Sequence, residues 1–358
     1  RSRHPAPATR CADWGRLRHN GHSLWWSIVG RNKRSVSLDL RTERGQELAA
    51  ELCASADIVV ENFRPGTMER WGLGPDAVHS RNPGCIYARV SGYGQTGRYR
   101  DRPGFASAGE AIGGLRYING HPDLPPPRAG ISLGDTLAAQ SAFQGILLAL
   151  YARDARGASG QVVDASITDA CFAMLESAVV EYEKCGVVRH PTGTRLPRIA
   201  PSNVYRSGDG KWVVIAANHD TLWRRLATAM GTPELGDDPR FTDHHARGEH
   251  EDLLDEIIGE WAGKHTAAEI DRILQDAGVV SSPVYTVEDI YNDPYFRERE
   301  LIVKHTDDVH GEMNAPGVVP KLSATPGTIR RSARWTVGAD TEAVLEGVGV
   351  SRQEIDRL

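Results

Sequence analysis

From Gly30 onward, apolar and polar positions fall into a regular succession of two periods. Residues 35–40 alternate with period two and predict a strand, while Leu48, Ala49 and Leu52 recur at helical spacing through 43–54. A short apolar run at 57–61 predicts a second strand, 75–81 a helix, and 85–90 a third strand that runs into the glycine-rich loop 91–97. Strands that alternate with helices imply a parallel sheet, and such sheets gather ligands at the carboxyl ends of their strands. The loops after Val60 and Val90 are therefore the first places where chemistry is expected.

Farther along, 137–152 and 167–182 read as helices so apolar (Ala138, Ala142, Ile146, Leu147, Leu150) that both are expected to be buried. The texture changes after Pro201. Two strand-like runs, 203–206 and 211–216, flank a turn containing Gly208 and Gly210 and predict a hairpin that opens a new unit. Helical segments follow at 221–230, 251–262 and 267–277, then the apolar run 279–284. The expected organisation is a large domain over 1–200, a small domain over 201–304, and a return to the large domain over 305–358.

A chain of 358 residues exceeds the usual reach of one hydrophobic core, which agrees with two domains. Hydrophobic residues make up 40% and charged residues 25%, a globular balance that excludes a disordered or membrane-embedded chain. The net charge of −5 supplies no general attraction to nucleic acid or to an anionic bilayer, so neither is expected as a partner. Cys11, Cys53, Cys85, Cys171 and Cys185 are widely spaced and form no C-x-x-C pair, the pattern of reduced thiols in a cytoplasmic protein. The opening Arg1-Ser2-Arg3-His4 has no initiator Met, and the sequence reads as the remainder of a longer polypeptide.

Phosphate-binding P-loops, H-E-x-x-H and G-x-S-x-G motifs are absent, and no Cys/His cluster has metal-site spacing, so no metal is expected. His244, His245 and His250 come nearest and read as a solvated loop. Basic residues are more informative. Arg31, Lys33 and Arg34 precede the first strand, Arg64 and Arg70 follow the Val60 strand, and Arg98, Arg100 and Arg102 follow the Val90 strand. In an acidic protein, three such clusters at sheet-edge loops point to a small phosphorylated ligand held by guanidinium forks. Gly134-Asp135 stands just before the long apolar helix. Asp is a preferred helix cap, and an ionised carboxylate at that position is also a competent nucleophile toward an acyl group; the two readings share one geometry.

Several segments together resemble the family III CoA-transferases, the group that includes formyl-CoA:oxalate and carnitine CoA-transferases and the α-methylacyl-CoA racemases. They are Arg31-Asn32-Lys33-Arg34-Ser35-Val36-Ser37-Leu38-Asp39-Leu40, Glu61-Asn62-Phe63-Arg64-Pro65-Gly66, Ser91-Gly92-Tyr93-Gly94-Gln95-Thr96-Gly97, Leu133-Gly134-Asp135, Gly160-Gln161-Val162-Val163-Asp164 and Lys321-Leu322-Ser323-Ala324-Thr325-Pro326-Gly327. They run in family order. The resemblance implies an α/β fold, with a large doubly wound parallel-sheet domain, a smaller α+β domain, and two chains interlocked as rings in a homodimer. It also implies a further βαβ segment ahead of Arg1.

By the same resemblance Asp135 matches the catalytic aspartate, which forms an acyl anhydride and then an aspartyl-CoA thioester while CoA passes from an acyl-CoA donor to a carboxylate acceptor. Asn62, Phe63 and Arg64 match the CoA-contacting loop, and Arg70, Lys33 and Arg34 are further candidates for the phosphates of coenzyme A. The sequence departs from the formyl-CoA transferases at Phe105-Ala106, where they carry a Tyr-Glu pair and where racemases carry a His. Glu110, one turn later on a similar face, is expected to be solvated, with substitution for the missing auxiliary carboxylate as the alternative. A racemase or epimerase, and a catalytically silent acyl-CoA-binding protein, stand as alternatives to the transferase.

Overall fold

The computed structural model describes residues 14–15 and 17–355; Cys11 and the N-terminal residues discussed above lie outside them. The expected strand–helix alternation is present. Helix α1 (Glu43–Ser55) leads to strand β1 (Ile58–Glu61), the one-turn helix α2 (Thr67–Arg70), helix α3 (Pro75–Arg81) and strand β2 (Ile86–Ser91). Helices α4 (Ala106–Ile112) and α5 (Leu133–Arg156) precede strand β3 (Val162–Ser166), which is followed by α6 (Ile167–Phe172) and α7 (Ala178–Cys185). Strands β4 (Ser202–Arg206) and β5 (Trp212–Ala216) form the predicted hairpin; α8 (Asp220–Ala229), α9 (His244–Glu249), α10 (Glu251–Ala262), α11 (Ala267–Asp276) and strand β6 (Val280–Pro283) complete that region.

Two compact units emerge. One comprises residues 1–101, 139–165 and 287–358, the other 102–138 and 166–286. In the first, the sheet order is β1-β2-β3, and β1 and β2 run parallel from Ile58 opposite Ile86 to Glu61 opposite Arg89. Val59, Met68, Leu73, Val78, Cys85 and Tyr87 form the core on one side of it. The segment 35–40 departs from expectation, since it is not a strand. Its backbone is bound by side chains instead: Ser35 N donates to Asp340 Oδ2 at 2.9 Å and Ser37 N to Thr341 Oγ1 at 2.9 Å. Alternation reports which faces are wet and dry, and a loop held against the returning C-terminal segment satisfies it as well as a ladder does.

In the second unit, β5 is antiparallel to both β4 and β6, and Val213, Ile215, Trp223, Leu226, Phe241, Leu254, Ile258 and Ile270 are fully buried over that sheet. Arg247 is fully buried among them; it donates to the carbonyls of Ala200, Phe241 and Asn218 and pairs with Asp220 at 2.6 Å. His244 and His245 lie on helix α9 rather than in a loop. No group of three or more metal-ligating side chains assembles among the described residues.

The expectation that both apolar central helices are buried is corrected. Helix α5 exposes Phe143, Leu147, Leu148 and Tyr151, and α7 exposes Val179, Val180 and Tyr182. Their composition is that of a core, but a single chain leaves these faces uncovered. Among the described residues no helix is long and apolar enough to cross a membrane.

One buried ion pair anchors the loop that follows β1. Arg89, on β2, lies directly opposite Glu61 at the end of β1 and donates to it at 2.8 Å, and it reaches Glu69 on α2 at 2.7 Å. The other oxygen of Glu61 accepts from Phe63 N at 2.7 Å, so the same carboxylate that neutralises Arg89 turns the chain into the Asn62–Arg64 segment. Arg89→Met should destabilise the protein by about 3–5 kcal/mol, because Glu61 would stay buried without its cation. Urea unfolding measures this, and a loss below about 1 kcal/mol would show that the pair does not hold the loop.

Candidate active site

In the second unit, three glycines let helices come together where side chains would prevent it. A Cβ at Gly109 on α4 would lie 2.5 Å from Ile167 Cγ2, one at Gly113 2.8 Å from Cys171 Cβ, and one at Gly134 2.9 Å from Ile167 Cγ2. Helix α4, helix α6 and the first turn of α5 therefore pack backbone to side chain around Ile167 and Cys171. Glu110 sits within this packing at 4% exposure, and its Oε1 accepts a hydrogen bond from Gly134 N at 3.1 Å. The expectation of a solvated Glu110 is thus corrected. The helix period that puts it on the face of Gly109 and Gly113 was legible, but burial of a carboxylate in an apolar contact was not.

Asp135 is not the cap of α5. The helix begins at Leu133, so Asp135 occupies its third position, and Ser132 O accepts from Thr136 N at 3.0 Å and from Thr136 Oγ1 at 2.9 Å. Among the described residues the Asp135 carboxylate has neither a hydrogen bond nor an ion pair, which leaves its oxygens open to an incoming group. The residue as a whole is exposed. Even so, partial burial of its carboxyl is the largest cause of a raised pKa, the Glu110 charge raises it further, and Arg128 opposes both. The Cys171 thiol is pushed up by burial and then by the charges of Glu110 and Asp135, so it is held as a neutral thiol. An ionised carboxylate with raised basicity and unoccupied lone pairs is suited to attack an acyl carbon.

The other predicted residues belong to the first unit. Asn62, Phe63, Arg64 and Arg70 are all exposed on the loop and short helix after β1, and Phe63 packs edge-on against Trp71 with centroids 5.2 Å apart. Arg70 Nη2 donates to Thr67 Oγ1 at 2.9 Å, inside the turn that begins at Gly66, whose φ of +81° favours glycine. Lys33 donates its ammonium to Val29 O at 2.7 Å. Arg34 lines a cleft of about 450 Å³ together with Asn32, Thr328, Arg330 and Arg331. Asn32 builds that cleft: its side chain donates to Thr328 O at 2.8 Å and accepts from Arg330 N at 2.7 Å.

Arg330 and Arg331 were not among the predicted residues. They follow directly on the Lys321–Gly327 motif, and only the fold brings them to Arg34, about 300 positions earlier in the chain. Three arginines from two segments far apart in sequence, Arg34, Arg330 and Arg331, line this cleft and fit the oxygens of a phosphorylated ligand. Phe105, the position of the missing pair partner, is 78% exposed just before α4 and carries no exchangeable proton.

Residues 8–341 match the profile of CoA-transferase family III. The chain is 49% identical over 325 residues to the succinyl-CoA–D-citramalate CoA-transferase of Chloroflexus aurantiacus, an alignment covering 91% of this chain and 81% of that one. It is 38% identical over 342 residues to the alpha subunit of a succinyl-CoA–L-malate CoA-transferase of Chloroflexus aurantiacus, with 95% and 79% covered. With the acetyl-CoA:oxalate CoA-transferase of Acetobacter aceti it shares 34% identity over 302 residues, with 84% and 76% covered. Among solved structures, a CaiB/BaiF family protein from Brucella suis superposes with a TM-score of 0.82 at 27% identity, covering 95% of this chain and 89% of that one. With a family profile spanning most of the sequence and relatives that move CoA onto carboxylic acids, the chain belongs to CoA-transferase family III and is an enzyme that transfers CoA between an acyl-CoA thioester and a free carboxylate.

Proposed function

We propose that the enzyme moves CoA from succinyl-CoA to a hydroxylated dicarboxylic acid of the malate–citramalate class, with Asp135 as the covalent nucleophile. The donor and acceptor class rests on the relatives, of which the one at 49% identity is a succinyl-CoA–D-citramalate transferase. The nucleophile rests on one observation: Asp135 presents a carboxylate with raised pKa and no internal partner at the first turn of α5.

The chemistry balances without a metal or redox step. An Asp135 oxygen adds to the thioester carbon and the C–S bond breaks, leaving an acyl-aspartyl anhydride and CoA thiolate. The thiolate attacks the aspartyl carbonyl, releases the donor acid and forms an aspartyl-CoA thioester. The acceptor carboxylate displaces the thiolate from that carbonyl, and the thiolate then attacks the acceptor's acyl carbon, which yields the new acyl-CoA and the original Asp135 carboxylate. Each addition develops an oxyanion, which preorganised N–H donors stabilise. Asn62, Phe63 and Arg64 contact CoA, with Arg70, Lys33 and Arg34 at its phosphates; their exposure at loops of the first unit supports this assignment.

The working assembly is an interlocked homodimer. The exposed stripe Phe143, Leu147 and Tyr151 on α5, and Val179, Val180 and Tyr182 on α7, support it, because such faces are stable only when covered. The shared core from Ala200 to Val279 supports a small domain that opens at about residue 201. The described cysteines are free, which supports a cytoplasmic setting.

A panel of acyl-CoA donors crossed with carboxylate acceptors, followed by mass, tests the substrate class: succinyl-CoA with citramalate or malate should be turned over fastest, and a preference for monocarboxylic acids would overturn it. Asp135→Asn keeps the size of the side chain at an exposed position, so stability should change by less than about 1 kcal/mol. Exchange should drop by several orders of magnitude while CoA still binds, because an amide forms neither the anhydride nor the thioester. Near-normal exchange by that variant would remove Asp135 as nucleophile. Arg64→Ala should weaken CoA binding by about 1.5–3 kcal/mol, measured by calorimetry, and unchanged affinity would take Arg64 out of the phosphate site.

A further inference from the structure

Glu110 is a charged side chain almost wholly removed from water, at 4% exposure, in a contact otherwise made of glycine, isoleucine and cysteine. The expected catalytic chemistry makes no use of it. Burying a carboxylate costs several kcal/mol unless hydrogen bonds compensate, yet among the described residues its one hydrogen-bond partner is Gly134 N, at 3.1 Å. That N–H belongs to the first turn of α5, where the helix dipole is positive and unpaired donors collect. Gly134 also has no side chain to intervene, since a Cβ there would stand 3.2 Å from Glu110 Cγ and 3.2 Å from Ala106 O. The arrangement brings a buried anion against the amide immediately before the nucleophile.

We propose that Glu110 is a positioning residue for Asp135: its carboxylate pins the first turn of α5 through Gly134 N and stands as a second carboxylate beside the nucleophile. The inference rests on Asp135 being the nucleophile. A carboxylate at a helix N-terminus would ordinarily be stabilised by the dipole and become a weaker base. Glu110 uses up part of that positive end by accepting from Gly134 N, and its charge raises the Asp135 pKa. The groups facing Asp135 are Glu110 on α4, Arg128 on the segment before α5 and Cys171 on α6. Arg128 acts in the opposite sense, and Cys171 is kept neutral by the same two carboxylates. The consequence for rate is direct, because a more basic carboxylate is the better nucleophile once ionised and the enzyme needs it ionised at its working pH.

The sign follows from the raised value. Exchange is carried by ionised Asp135 and is lost as the pH falls through its pKa, so removing the Glu110 charge should move the acid limb of the pH profile downward. Glu110→Gln separates charge from capping, since its amide oxygen accepts from Gly134 N as the carboxylate does. In the full-length enzyme, with succinyl-CoA cleavage trapped by hydroxylamine, the acid limb of kcat/KM should shift to lower pH and the plateau rate should fall several-fold. The melting temperature should stay near that of the parent. An unchanged pH profile and plateau in Glu110→Gln would reduce Glu110 to a cap and overturn the proposal. If that variant does not fold, an acid limb of the unmodified enzyme at the ordinary aspartate value of about 3.9 overturns the proposal, and a limb above it that moves down in Glu110→Met, which removes the charge at similar size, supports it. Retained exchange in Asp135→Asn would instead remove the nucleophile assignment itself, an outcome that no result with Glu110 can produce.

Discussion

The constraint on which the candidate active site depends is the close approach of α4 and α6 to the first turn of α5. Gly109, Gly113 and Gly134 are each needed there because a single added carbon would fall within 3.0 Å of Ile167 or Cys171. That approach removes water from Glu110, and among the described residues the backbone donor that reaches it is the one at Gly134. Asp135, one residue on, then lies between a partly satisfied helix end and a buried negative charge. Its raised pKa is a consequence of packing, and the glycines are the packing's cause.

The first unit solves a related problem with the opposite outcome. Glu61 is as buried as Glu110, but Arg89 stands opposite it in the parallel register, so the pair is neutralised and rigid. Its free oxygen takes Phe63 N and directs Asn62 and Arg64 outward. One buried carboxylate thus shapes the Asn62–Arg64 loop by being paired, and the other, which has no ion pair among the described residues, raises the pKa of Asp135. Each accepts from a backbone N–H at the edge of a regular element, just past the end of β1 or in the first turn of α5, where donors are left over and a side chain can claim them.

Relatives that share the family's reaction differ in their acids: citramalate, malate and oxalate. The transfer chemistry asks the same of each enzyme, a place for the CoA thioester, while acceptor choice asks for shape around the acyl group. This division explains why the reaction class could be argued from motifs and the acceptor could not. A hydroxylated diacid is recognised by a few well-placed donors, and their placement depends on loop geometry that has no periodic signature.

How much was legible can be judged from particular residues. The sequence by itself determined the elements whose periodicity is strong: α1, β1, α3, β2 and the β4–β5 hairpin lie within one or two residues of expectation, because alternation and the 3.6-residue repeat report directly on which side of an element is dry. It also marked Asp135 and the Asn62–Arg64 loop through motifs that are local in the chain. What only the tertiary structure decided concerns residues distant in sequence. The alternating segment 35–40 became a loop because Asp340 and Thr341 took its amides. Arg330 and Arg331 joined Arg34 because Asn32 ties the two segments. Core-like helices kept exposed faces, since composition records that a face must be covered and is silent on which chain covers it. Glu110 is the sharpest case. Its exposure was set by glycines on α4 and α5 and by Ile167 on α6, and no window of sequence contains all three, so the burial that matters most for Asp135 exists only once the helices meet.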